Sequence, residues 1–328
     1  MHNLRPLLQP ASIALVGAVE GRQSPGRIVH EKLVASGYAG ALYVVDPGRP
    51  SILGQAAYSS LSAIGKPIDL VLIATPADAV VSALKAATMA KVAIVIASAA
   101  SLDDDASRTW LREIRDAAKR ADVRVVGPGA LGMIRPSANV DATWCGPPAR
   151  PGRLALVTQS AAVGAAMVDY ATPLGLGFST VLSVGAAVDA GFGELLDLLL
   201  GDAETDAILV QVEDIGETPP FLSALRAAAR TKPVVVLKAG RSLESRAALR
   251  HDDVVDAAIS RCGAVRVRTS TQLFAAARIC AKRRGFGRLR GTILRSNEPM
   301  LGFVRAFGFV VEDDPEDPGQ VFATLSFT

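Results

Sequence analysis

The chain alternates short, continuously apolar runs with longer amphipathic segments, and it does so in two series. In the first series the apolar runs are residues 12–18 (SIALVGA), 41–46 (ALYVVD), 70–75 (LVLIAT), 93–98 (AIVIAS) and 123–128 (VRVVGP). Amphipathic stretches lie between them near 27–36, 79–90 and 107–120. Apolar runs without polar alternation suit strands buried on both faces, and intervening helices let such strands pair in parallel through right-handed crossovers. The pattern predicts a doubly wound, Rossmann-like α/β unit over residues 1–146.

Residues 145–152 (CGPPARPG) break the rhythm and mark the expected domain boundary. The second series then runs through strands at 153–159, 178–185, 207–213, 234–240 and 264–267. Helices are expected near 161–172, 193–200, 220–230 and 252–261, which gives a second doubly wound unit over 151–284. The tail, 285–328, differs. It reads as a strand (RLRGTILRS), a short helix opened by Asn297 and Pro299 and closed by Gly308, an acidic run Glu312–Asp317, and a last strand (VFATLSF). Such a short α+β segment encloses no core of its own, so it must pack on the body or on another subunit.

Composition narrows the class. Half of the residues are hydrophobic and 20% are charged, enough for two packed cores and too apolar for a disordered chain. A net charge of +3 with dispersed cations argues against nucleic acid, and the Lys282-Arg283-Arg284 cluster reads as a solvated helix end. Cys145, Cys262 and Cys280 lie far apart without metal-ligand spacing. They predict no metal site, no disulfide framework and a reducing, cytoplasmic setting. No apolar stretch approaches the roughly 20 residues of a membrane span, so no membrane partner is expected.

Ligands of open parallel sheets bind at the carboxyl ends of the strands, near the point where strand order reverses. The first such end here is GAVEGRQSPGR, residues 17–27. Gly17, Gly21 and Gly26 allow close backbone approach, and Gly26-Arg27 opens a helix whose free N–H groups attract phosphate. Arg22 adds a cation and Ser24 a hydroxyl. The spacing is not that of a nicotinamide dinucleotide turn: Asp46 follows Gly17 by 29 positions and precedes Pro47. A strand-to-helix turn without a ligand remains the competing reading. Thr75-Pro76 and Ser98 end later strands with small or kinked residues that leave room above the sheet. Ser160 reads as a helix cap far better than as a nucleophile, since no G-x-S-x-G frame surrounds it. His251, before Asp252-Asp253, is either a solvated residue at a helix start or an acid, base or phosphate acceptor.

The order of motifs resembles the succinyl-CoA synthetase α subunit and the NDP-forming acyl-CoA synthetases. SIALVGA, Ser24-Pro25-Gly26-Arg27, YVVDPG, LVLIATPA and VVGPGALG carry the likeness in the first unit. GRLALVTQSAAVGAA, GLGFSTVLSVGAAVD, AILVQVEDI and KPVVVLKAGRS carry it in the second. The resemblance implies a CoA-binding domain followed by a flavodoxin-like succinyl-CoA-ligase domain. It also implies CoA or acyl-CoA as cofactor, nucleotide supplied through an ATP-grasp β-type partner, and self-association into a homo-oligomer. Together with the strand-end reading, it gives as expected cofactor residues Gly17, Ala18, Arg22, Ser24, Gly26, Arg27, Asp46, Pro47, Thr75, Pro76 and Ser98. Glu213 matches the acid near the family's phosphohistidine, and His251 is a displaced candidate for that histidine. The histidine loop after Lys238 is shortened, Gly129 replaces an Asn, and the S-x-G-N turn is Ser183-Val184-Gly185-Ala186. These changes imply degraded or partner-dependent catalysis. The tail resembles the end of a GNAT acetyltransferase domain, with Val304 where many members have a general-acid Tyr.

Overall fold

The computed structural model describes residues 4–326 except 20, 100–102, 174–175, 217, 239–245, 270–271, 274, 277–287, 297–300, 302–304, 306–308 and 316. For 246–253, 288–294 and 325–326 it describes the backbone alone. Most of the expected tail helix, Cys280 and the Lys282–Arg284 cluster fall outside the described residues.

The first sheet contains β1 (Ser12–Val16), β2 (Ala41–Val45), β3 (Ser51–Ile52), β4 (Gln55–Tyr58), β5 (Ile68–Ile73), β6 (Ala90–Val95) and β7 (Arg124–Val126). Its order is β3-β4-β2-β1-β5-β6-β7, parallel throughout except for the β3–β4 hairpin. The chain thus leaves β1 for one side and returns to its other side with β5, which places the switch point between β1 and β5. Helices α1 (Pro25–Ala35), α2 (Ala77–Lys85) and α3 (Asp104–Ala121) make the crossovers. α3 shows why they form. Asp103 caps it by accepting from the Ala106 N–H at 2.8 Å, and acids open the helix while Lys119 and Arg120 close it. Its buried stripe is Trp110, Ile114, Ala117, Ala118 and Ala121.

The second sheet contains β8 (Gly132–Arg135), β9 (Val140–Thr143), β10 (Pro151–Thr158), β11 (Phe178–Ser183), β12 (Ala207–Val212), β13 (Val234–Lys238) and β14 (Val265–Val267), in the order β14-β13-β12-β10-β11-β8-β9. α4 (Ala161–Ala171), α5 (Phe192–Leu200), α6 (Thr218–Ala229) and α7 (Arg246–Arg261) connect it. The hairpin β8–β9 precedes the Pro- and Gly-rich boundary in sequence yet pairs antiparallel to β11. β9 in turn packs on α1, where Lys32 Nζ donates to Thr143 Oγ1 at 2.7 Å and Ser36 Oγ to the Asn139 carbonyl at 2.7 Å. A single buried cluster runs from Leu15 and Val29 through Met133 and Ala155 to Phe221. The two sheets therefore share one core.

The tail forms a third sheet, β15 (Arg288–Leu294), β16 (Val310–Asp313) and β17 (Gln320–Ser326), with β17 central and antiparallel to both neighbours. β16 takes in the start of the acidic run, Glu312 and Asp313. Phe309 and Ala323 join the buried cluster of Leu156, Val235 and Leu273. The tail packs on the body. No helix among the described residues is long and apolar enough to cross a membrane.

Candidate functional site

At the switch point the chain folds back on itself too tightly for side chains. Gly17 has φ +92°, and a Cβ there would lie 2.7 Å from the Thr75 nitrogen. A Cβ on Gly26 would lie 2.2 Å from the Gly17 carbonyl oxygen. These two glycines press the first turn of α1 against the end of β1, beside a fully buried Ala18. Gly21 has open space around it and meets no such demand. Ser24 caps α1, its Oγ accepting from the Arg27 N–H at 3.1 Å. Arg27 pairs with Glu31 at 2.7 Å, while Arg22 is exposed. Next to the turn, Thr75 Oγ1 is buried without a hydrogen-bond partner, a polar atom that calls for one. A cradle that only glycine permits, a helix N-terminus and an orphaned hydroxyl together fit the phosphate and amide groups of coenzyme A.

The other candidates of the first unit take different places. Asp46 Oδ1 accepts from the Gly48 N–H at 2.7 Å, closing a local turn beyond β2, with Pro47 exposed. Pro76 precedes the first turn of α2 and is exposed. Ser98 follows β6 and lines a separate cavity.

That cavity, of about 320 Å3, lies where the carboxyl ends of both sheets meet. The first sheet contributes Ser98, Ala99, Pro128 and Gly129, with Trp110 and Leu111 from α3. The second contributes Gln159, Gly185, Ala186 and Glu213. In sheet order, Gly17, Thr75, Ser98 and Gly129 follow β1, β5, β6 and β7, so a ligand laid along the row from the cradle ends in this cavity.

Its floor is built from backbone. The N–H groups of Ala186, Val188 and Ala190 donate to the carbonyls of Pro128, Gly127 and Val125. Gly185, at φ +54°, sits so close that a Cβ would lie 2.0 Å from the Pro128 oxygen. Arg124 clamps the same seam, reaching Glu194 at 2.7 Å and Asp189 at 2.9 Å. Those hydrogen bonds, Glu194's first, hold its pKa above the ordinary arginine value despite burial.

Glu213 is placed by two glutamines. Gln159 Oε1 accepts from the Glu213 and Asp214 N–H groups at 2.8 and 2.9 Å. The buried Gln211 Oε1 accepts from Thr158 Oγ1 at 2.6 Å and from the Gln159 and Ser160 N–H groups at 3.0 Å. Its Nε2 donates to Glu213 Oε1 at 3.3 Å. Sequence reasoning passed over Gln211. The signal was there, because a lone Gln inside the apolar run AILVQV must find partners when buried. Ser160 caps α4, its Oγ accepting from the Val163 N–H at 3.3 Å. His251 lies on α7, but its side chain is outside the described residues, as are residues 239–245. His30 is buried, with Nε2 2.9 Å from Gln55 Oε1, which accounts for it structurally.

A larger cleft of about 760 Å3 opens at the opposite, amino-terminal ends of the strands. Its charges are paired within the wall, Lys91 with Asp69 at 2.6 Å and Arg135 with Asp202 at 2.7 Å. No group of three potential metal ligands occurs among the described residues.

Residues 11–136 match the CoA binding domain family, and residues 151–280 match the succinyl-CoA ligase like flavodoxin domain family. The chain belongs with the NDP-forming acyl-CoA synthetase α-like proteins. The two matched segments follow the two sheets except at the hairpin, where β8 of the second sheet falls within the first segment and β9 lies between the two. This α-like chain is 32% identical over 284 residues to the 4-hydroxybutyrate–CoA ligase [ADP-forming] of Nitrosopumilus maritimus, covering 82% of itself and 40% of that protein. It is 29% identical over 286 residues to the acetate–CoA ligase [ADP-forming] I subunit alpha of Pyrococcus furiosus, covering 83% of itself and 62% of the subunit. Among solved structures, the acetyl-coenzyme A synthetase 1 of Ca. Korarchaeum cryptofilum in complex with phosphate and ADP superposes with a TM-score of 0.79. That match is 26% identical and covers 86% of this chain and 63% of the other. The chain thus spans between two fifths and two thirds of these relatives.

Proposed function

We propose that this chain binds coenzyme A or an acyl-CoA across the carboxyl ends of its first sheet, as the α-like part of an acyl-CoA synthetase. An ATP-grasp partner of the β type would supply nucleotide chemistry. The observation that carries this reading is the Gly17–Gly26 cradle at the switch point with the unpartnered Thr75 hydroxyl beside it. Arg22 and the α1 N-terminus are the groups for phosphate, and Ser98 lies on the way to the cavity between the sheets. CoA supplies the thiol that accepts the acyl group. The chain's own residues hold that thiol's approach and shield the cavity floor. Sparse cysteines support a cytoplasmic setting. Calorimetry with CoA and acetyl-CoA is expected to show one saturable site, with NADH giving no heat. Absence of CoA binding at millimolar ligand overturns the reading.

The position of Glu213 favours a second reading, in which the chain takes part in turnover and His251 carries the phosphoryl group. Acid-labile phosphate on His251 is then expected after incubation with the ATP-grasp partner and nucleotide, and full activity of His251→Ala would exclude it. The tail, read as a GNAT remnant, is proposed to serve packing through Phe309 and Ala323 rather than acetyl transfer.

A further inference from the structure

Cavity size and polarity go beyond the presence of CoA to the kind of acyl group it carries. The cavity between the sheets measures about 320 Å3, at the low end of the roughly 300–1,000 Å3 range of ligand pockets. It can take the end of a ligand but not a whole cofactor. It lies last in the row of strand ends that begins at the phosphate cradle, which is where the thioester end of a CoA derivative would arrive.

One side is apolar, with Ala99, Trp110, Leu111 and Ala186. The other presents Gln159 and Glu213. Among the described residues that line it, Glu213 carries the one charge and none is cationic. Trp110 is held rigidly. It is 7% exposed, and its Nε1 donates to the Ala77 carbonyl at 2.8 Å. Beyond its ring lies a groove bounded by Asp78, Asp103, Asp105 and Glu113, so the indole separates the cavity from an acidic surface.

We propose that this cavity is the acyl pocket and that Trp110 is its size-determining wall, selecting short uncharged acyl chains over those ending in a second carboxylate. The inference rests on the CoA reading above. An apolar tail gains by leaving water against Trp110 and Leu111. The Gln159 carboxamide oxygen is engaged by two backbone N–H groups, which leaves its NH2 to donate to the thioester carbonyl. A terminal carboxylate would find no cation and would face Glu213, a like-charge encounter that disfavours it.

The test is calorimetry of the full chain with CoA, acetyl-CoA, butyryl-CoA, hexanoyl-CoA and succinyl-CoA. Butyryl-CoA is expected to bind about three- to fourfold more tightly than acetyl-CoA for each added methylene. Succinyl-CoA is expected to bind at least about tenfold more weakly than butyryl-CoA, the equivalent of ~1.4 kcal/mol. Ala99→Leu, which fills the cavity, should bring the butyryl-CoA to acetyl-CoA affinity ratio close to one. Trp110→Phe, which enlarges it with little change in shape, should shift the preference toward hexanoyl-CoA. Equal affinities across the acyl series, or succinyl-CoA matching butyryl-CoA, overturn the acyl pocket while leaving CoA binding intact. Unchanged ratios in Trp110→Phe overturn the role of Trp110, and unchanged ratios in Ala99→Leu overturn the acyl pocket. Absence of binding by every ligand, CoA included, overturns both readings together.

Discussion

Replacing Gly26 with alanine is expected to cost at least about a hundredfold in CoA affinity, the equivalent of ~2.8 kcal/mol. The new Cβ would lie 2.2 Å from the Gly17 oxygen, 2.8 Å from its carbonyl carbon and 3.0 Å from the Ala18 Cα. All three are backbone atoms, so no side chain can swing aside. The first turn of α1 has to move away from β1, carrying with it the Ser24 cap and the N–H groups offered to phosphate. Overpacking of this kind also lowers stability by about 1–3 kcal/mol. Gly201→Ala is the matched control. Its Cβ would come no closer than 3.7 Å to the Leu198 oxygen at an ordinary φ of −80°, and a change within about 0.5 kcal/mol is expected. Calorimetry and thermal unfolding of both variants check the pair. Wild-type CoA affinity in Gly26→Ala would remove the turn from the cofactor site.

The largest stability effect is expected at Asp202. Arg135, on β8, is 1% exposed and Asp202 is 7% exposed. The guanidinium meets the carboxylate through two bonds, at 2.7 and 2.9 Å, while Thr205 Oγ1 donates to it at 2.7 Å. Glu204, more exposed, lies 3.1 Å from the same arginine. Asp202→Ala leaves a buried cation short of its main partner, a loss of about 3–5 kcal/mol. Asp202→Ala combined with Arg135→Met removes both charges and should recover much of that loss. Burial raises the Asp202 pKa, but hydrogen bonds from Arg135 and Thr205 outweigh it and leave it below the ordinary value. A carboxyl group depressed in the folded state contributes fully above its unfolded pKa, about 3.9. That contribution is lost as pH falls through the folded value. Denaturant unfolding across the acid range is therefore expected to show a steeper loss of stability below about pH 4 in the native chain than in Asp202→Ala. Equal acid sensitivity would show that the pair does not govern it. At Asp69 burial is likewise outweighed, by hydrogen bonds from Lys91 and the Ala11 N–H, and the depressed carboxyl acts in the same direction.

Much of the fold was legible because its causes are local. Runs such as LVLIAT and AILVQV are apolar without alternation, and a strand buried on both faces needs nothing else. Ser24 and Ser160 announce helix starts because a side-chain oxygen one turn away satisfies a free N–H. The candidate cofactor turn was visible for a similar reason, since glycines between a strand and a helix leave few conformations open.

Other features escaped. The β3–β4 hairpin turns at Leu53 and Gly54, with φ of +50° and +76°. Leucine is an uncommon choice there, so the turn carried only half of its usual signal. Tail strand β16 was hidden by its acids, which an antiparallel edge tolerates well.

By itself, the sequence determined two doubly wound units, the glycine turn that closes on α1, and the motif order of the synthetase α-like proteins. These follow from periodicity, chirality and local hydrogen bonding, which act within a few residues of each other. The tertiary structure alone decided that β8–β9 crosses to the second sheet, where Ile134 pairs with Val181. It alone seated Arg135 on Asp202, joined Gln211 to Glu213, and brought Trp110 against strand ends of both sheets. Ile134–Val181 and Arg135–Asp202 join residues dozens of positions apart, and all of these contacts depend on how the sheets pack. Their energies exist only once a shared core has brought those surfaces together and removed the water between them.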